Sequence, residues 1–146
     1  MSIILTPFRN ALNSLREALA QMREEPANRF VKDSVIRRYE YTYELACKML
    51  KRFLGGTESN GAEIDQMAFS DLVRLGNRRG LLRGDWEKWS KYRQMRNATS
   101  HCYDERQADA VIGGVPEFVA ESEFLLSALT VRVSALFGNN NDVAAD

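Results

Sequence analysis

Apolar residues recur along this chain at helical spacing and nowhere at the alternation of a strand. Phe8, Leu12, Leu15, Leu19 and Met22 follow one another by fours and threes, which predicts a first helix with Thr6 as N-cap and Pro7 at the first helical position. Val35, Ile36, Tyr39, Tyr43, Ala46, Cys47, Leu50, Phe53 and Leu54 hold the same period, predicting a second helix over residues 28 to 54 with Gly55-Gly56 as its stop. Ile64, Ala68, Leu72 and Leu75 predict a shorter third helix that ends at Gly80, with a place for a break before Ser70. Gly84-Asp85 opens a fourth, with Asp85 as N-cap and Trp86, Trp89 and Tyr92 on one side. Asp104 starts another helix, and Gly113-Gly114 with Pro116 predicts a break. A long run follows: Val115, Phe118, Val119, Ser122, Leu125, Leu126, Leu129, Val133 and Leu136.

Three long amphipathic helices cannot each bury a stripe without partners, and no internal repeat is present. The expected fold is therefore all-α: a four-helix up-down bundle with an additional short helix, formed as a single domain over residues 1–138 with a flexible tail over 139–146.

Apolar residues at 45% and charged residues at 27% are the proportions of a globular protein, which excludes a disordered chain. No stretch has the length of a membrane span and the first residues lack a signal peptide's pattern, so a cytoplasmic location without membrane contact is expected. Cys47 and Cys102 are too few for a disulfide framework and form no zinc motif; they are expected to be reduced thiols, and neither metal nor cofactor is expected. A formal net charge of zero conceals a cationic stretch, because Arg74, Arg78, Arg79, Arg83, Lys88, Lys91, Arg93 and Arg96 stand against only Asp85 and Glu87.

The chain's single histidine, His101, lies five residues after Arg96. On an uninterrupted helix such residues differ by about 140° around the axis and face different ways, so they converge only if the helix ends between them. Thr99 and Ser100 are indifferent helix formers and Asp104 opens the next helix, which places His101 on a bend near a helix C-terminus. An arginine beside a histidine suits phosphodiester chemistry. The guanidinium holds non-bridging oxygens and stabilises transition-state charge, while RNA's own 2′-hydroxyl serves as nucleophile and needs proton transfer rather than a metal. One histidine is a thin supply of acid and base, and a symmetric pair of copies would double it. Asn97 is a supporting candidate that could orient the histidine or phosphate, or simply cap the helix end.

Arg96 through His101 to Tyr103 reads R-x4-H-x-Y, which resembles the motif of HEPN toxins. The segments from Arg38 to Ala46 and from Met95 to Glu105 resemble the branch called nucleotidyltransferase substrate-binding proteins, and the likeness runs from about residue 8 to 137. The resemblance implies a four- or five-helix bundle, a homodimer, and a cognate minimal nucleotidyltransferase antitoxin as partner. It further implies a metal-independent endoribonuclease site at the dimer cleft, with Arg96 and His101 catalytic, RNA as substrate, and Tyr103 as the tyrosine that the antitoxin AMPylates to block that site. The same resemblance admits a second role, that of a non-catalytic substrate-binding subunit of a two-component nucleotidyltransferase.

Overall fold

The structure is a computed structural model and describes residues 3–137. Six α-helices make up the described residues: α1 (Thr6–Glu24), α2 (Arg29–Thr57), α3 (Gly61–Gln66), α4 (Phe69–Arg78), α5 (Trp86–Ala98) and α6 (Glu105–Phe137), with a 3-10 turn at Thr99–His101. The expected tail beyond Gly138 lies outside the described residues.

Four of these helices form the bundle, and cross-helix pairs fix their directions. Arg38 of α2 donates from NH1 to the Ser14 carbonyl of α1 at 2.7 Å, and Tyr39 of α2 donates to the Tyr92 carbonyl of α5 at 2.5 Å. Trp89 and Lys88 of α5 reach Glu121 and Glu117 of α6, and Arg9 and Arg16 of α1 reach Thr130 and Glu123. Residue numbers rise along one helix as they fall along its neighbour: Ser14 and Glu17 of α1 meet Tyr41 and Arg38 of α2, Glu40 and Glu44 of α2 meet Thr99 and Arg96, and Arg9 and Arg16 of α1 meet Thr130 and Glu123 of α6, which is antiparallel packing and hence an up-down-up-down bundle. One contiguous cluster fills it. Tyr39, Tyr43, Trp89, Tyr92 and Phe118 form its aromatic centre, with the Tyr39 ring edge-on to Phe118 at 4.9 Å between centroids.

Several helix ends follow the expected chemistry. Asn28 caps α2 through its side-chain oxygen, Asp85 caps α5 by accepting from Lys88 N, and Asp104 Oδ1 accepts from Arg106 N at the start of α6. The end of α4 is a full Schellman motif: Gly80 has φ +77°, Leu81 N donates to Gly76 O at 2.9 Å, and Gly80 N to Asn77 O at 3.1 Å.

Other expectations are corrected. Thr6 is the first residue of α1 rather than its cap; Leu5 takes the cap position and makes no side-chain capping bond. Helix α2 runs through Gly55-Gly56 to Thr57, because a glycine stop requires left-handed φ and Gly80 alone has positive φ among the described residues. Gly61, the first residue of α3, is the glycine that close packing requires, since a Cβ there would stand 2.5 Å from the Gly55 carbonyl oxygen. The third segment does break ahead of Ser70, as its pattern allows, into two helices, α3 and α4, parted at Met67 and Ala68. Helix α6 is continuous through Gly113, Gly114 and Pro116. Its flanks are buried at Val111, Val115, Phe118 and Val119, and a Cβ on Gly114 would meet Met95 Sδ at 2.6 Å, so close docking on α5 overrides weak local propensity.

Candidate functional site

Helix α5 ends at Ala98, and the following 3-10 turn carries Thr99, Ser100 and His101 before the chain reverses into α6. The expected bend is therefore present, and Arg96 lies on the last turn of the helix that leads into it. Ser100 Oγ and Thr99 Oγ1 donate back to the carbonyls of Asn97 and Arg96, occupying helix-end acceptors.

Arg96 is held firmly. Glu44 Oε1 accepts from its Nε at 3.0 Å and from NH2 at 2.5 Å, Thr99 Oγ1 lies 3.4 Å from NH1, and Glu40 Oε2 lies 4.0 Å from NH1. The same Thr99 hydroxyl lies 2.8 Å from Glu40 Oε2, so its one proton is shared between that carboxylate and the Arg96 carbonyl. The hydrogen bonds it donates to Glu44, opposed by some burial, raise the arginine's pKa above its ordinary value, so its charge is fixed. Glu40 and Glu44 are one helical turn apart on the same face of α2 and clamp the arginine from one side. The parts of Glu44, Glu40 and Thr99 are not legible in the sequence, although the four-residue spacing of the two acids is the available signal.

His101 and Tyr103 are exposed, Tyr103 at 83%, and their rings meet edge-on with centroids 6.3 Å apart. No hydrogen bond or ion pair joins Arg96 to His101 within the chain among the described residues. Asn97 is exposed, and its side chain makes no hydrogen bond there either. Cys102 points away from His101, its thiol bonding to the Ala98 carbonyl at 3.4 Å, and burial raises its pKa. That orientation removes a cysteine–histidine dyad. Of the three alternating tyrosines of α2, Tyr39 and Tyr43 are core while Tyr41 is half-buried and paired with Ser14. Trp89 is fully buried and Trp86 packs at the core edge, so neither is an open stacking platform.

An up-down helical bundle that presents an arginine, a histidine and an exposed tyrosine around one interhelical bend has the construction of a HEPN-type domain. The model of the family described as nucleotidyltransferase substrate binding protein like matches residues 4–131, and the chain belongs to that family. A protein of Haemophilus influenzae named "Probable ribonuclease HepT" is 44% identical over 97 residues; the match spans 66% of this chain and 66% of that protein's length. The solved structure of HI0074 from Haemophilus influenzae, described as revealing the fold of a substrate binding domain of a nucleotidyltransferase, is similar with a TM-score of 0.80 at 35% identity. It covers 86% of this chain and 98% of its own.

Proposed function

We propose that this protein is the toxin of a toxin–antitoxin pair, a metal-independent endoribonuclease whose site is completed when two copies bring their α5–α6 bends together. The observation that carries the reading is the placing of an exposed His101 beside an exposed Tyr103 at the end of the helix on which Glu44 fixes Arg96. In that site a histidine takes the proton of the RNA 2′-hydroxyl as its oxygen attacks the adjacent phosphorus. The bond to the 5′-oxygen breaks, and the histidine of the second copy supplies that leaving oxygen with a proton, giving a 2′,3′-cyclic phosphate. Arg96 stabilises the charge on the non-bridging oxygens, and Asn97 has a supporting role.

Tyr103 is the switch in this reading. A minimal nucleotidyltransferase partner transfers AMP from ATP: the phenolic oxygen bonds to the α-phosphorus, pyrophosphate leaves and the phenolic proton is lost. The added negative charge beside His101 then repels RNA. The name of the ribonuclease-like relative supports the catalytic role. The likeness to HI0074, described as a substrate binding domain of a nucleotidyltransferase, supports a second reading, in which the same surface only presents substrate to a nucleotidyltransferase.

The test is cleavage of a mixed tRNA and mRNA pool in EDTA by protein whose Tyr103 is shown free by intact mass, with His101→Ala beside it. Cutting by wild type that the variant loses is the expected result. An inert wild type overturns the catalytic reading in favour of the second.

A further inference from the structure

The cationic stretch from Arg74 to Arg96 is sorted by the fold into neutralised and free charges. Arg74 pairs with Asp71, Arg79 with Glu58, Lys88 with Glu117 and Arg96 with Glu44, while Arg78 and Lys91 form no ion pair of their own among the described residues and feel only the fields of Glu58 and Glu117, which Arg79 and Lys88 already occupy. Two guanidiniums rest on aromatic faces instead: Arg83 over Phe124 at 5.7 Å and Arg93 over Phe69 at 5.6 Å. Arg83 precedes α5, at the end of that helix remote from the bend. Arg93 is within α5, one turn before Arg96.

Arg93 is exposed, and no carboxylate pairs with it among the described residues. Its platform is rigid, since the Phe69 ring is itself edge-on to Trp86 at 5.8 Å and to Tyr43 at 6.5 Å. Arg93, Arg96 and Asn97 fall within about 100° of the α5 circumference, so the three side chains share a face. Both arginines also exert their fields on the Tyr43 phenol, which places their charges on the same flank of the α2–α5 seam. A guanidinium held by a ring keeps its full charge and its in-plane donors, and a phosphate approaching it displaces no competing carboxylate.

We propose that Arg93 forms a second phosphate subsite, binding the phosphodiester of a single RNA strand next to the one held at Arg96. The inference rests on the ribonuclease reading and deepens it by extending the site along α5, away from the bend. The strand runs over Asn97 and Arg93 toward the Phe69 and Trp86 edge, and Arg93 holds register while Arg96 and His101 act on the scissile bond.

The experiment measures binding of a labelled single-stranded RNA oligonucleotide across a salt series, using His101→Ala as parent and adding Arg93→Ala or Arg93→Lys, with cleavage by the wild type assayed in parallel. One lost contact to a single strand lowers the slope of log K against log salt by about 0.7 and weakens binding roughly tenfold at low salt. Arg93→Lys, which keeps the charge, regains the slope. If Arg93→Ala keeps the parental slope while wild type cleaves, the subsite is overturned and the ribonuclease reading stands. If both variants bind more weakly with the slope unchanged, Arg93 acts only by covering Phe69, which also overturns the subsite. A parent that binds no RNA and a wild type that cuts none overturn both.

Discussion

A single oxygen of Glu44, on α2, accepts two hydrogen bonds from the guanidinium of Arg96, on α5, at 3.0 and 2.5 Å. The pair joins two helices that are distant in sequence at the last turn before the bend, and its worth is positional rather than energetic. Both partners are substantially open to solvent, and such pairs contribute at most about 1 kcal/mol. Glu44→Ala is therefore expected to leave urea stability within about 1 kcal/mol of wild type and, on the proposed ribonuclease reading, to slow RNA cleavage about tenfold through a loosened Arg96. Faster cleavage by the variant would mean that Glu44 shields the arginine from phosphate.

Glu121 is the reverse case, a buried carboxylate with structural work alone. It accepts from Arg83 N at 3.1 Å, Gly84 N at 2.6 Å and Trp89 Nε1 at 2.8 Å, tying the loop before α5 to α6. Glu121→Ala leaves three donors unsatisfied and is expected to cost about 3 kcal/mol in urea denaturation. Glu121→Gln can retain two of the three and is expected to cost about 1 kcal/mol. Equal losses for the two variants would contradict this account.

Alkaline pH is expected to destabilise the fold. Burial pushes the Cys47 thiol up to about 12 and raises the phenols of Tyr39, Tyr43 and Tyr92 above their ordinary value. The folded state keeps these protons longer than the unfolded chain does. Their contribution is thus fully present below the ordinary thiol value of 9.0 and is lost as pH rises toward 12. Urea midpoints should fall progressively above about pH 9; a midpoint constant to about pH 11 would show that these groups do not control stability.

Gly114 lets α6 lie against α5 beside Met95. Gly114→Ala gains about 1 kcal/mol of helix propensity but puts its methyl against the Met95 thioether, so a net loss of about 1 kcal/mol is expected. Adding Met95→Ala removes the clash, and a double-mutant cycle should report a coupling above about 0.5 kcal/mol. Strict additivity would place the strain elsewhere.

Much of this was legible in the residues because it is local. The stripes from Phe8 to Met22 and from Val35 to Leu54 name their own buried faces, and Asp85, Gly80 and Asp104 mark helix ends through side-chain or backbone chemistry that needs no distant partner. The bend at His101 could be argued from Thr99, Ser100 and Asp104 for the same reason. What escaped depends on contacts between distant segments. Gly55-Gly56 and Gly113 to Pro116 read as stops until the helices packed against them are known. The clamp on Arg96 joins residues 40, 44, 96 and 99, which only the α2–α5 packing brings together, and whether Arg93 is neutralised cannot be read without knowing which acids face it.

The continuity of α6 also bears on the order in which the chain acquires its structure. Relative to alanine, two glycines and a proline within four residues set that stretch at a disadvantage of about 5 kcal/mol as isolated helix. Its two halves consequently gain little from each other before they dock, and the long rod is completed by the surface that receives it rather than by propagation along its own axis. The middle of α6 is thus expected to form late and to open early. In native-state hydrogen exchange, the amides flanking Pro116 would then exchange ahead of those in the interior of α2, although both helices place fully buried side chains in the core.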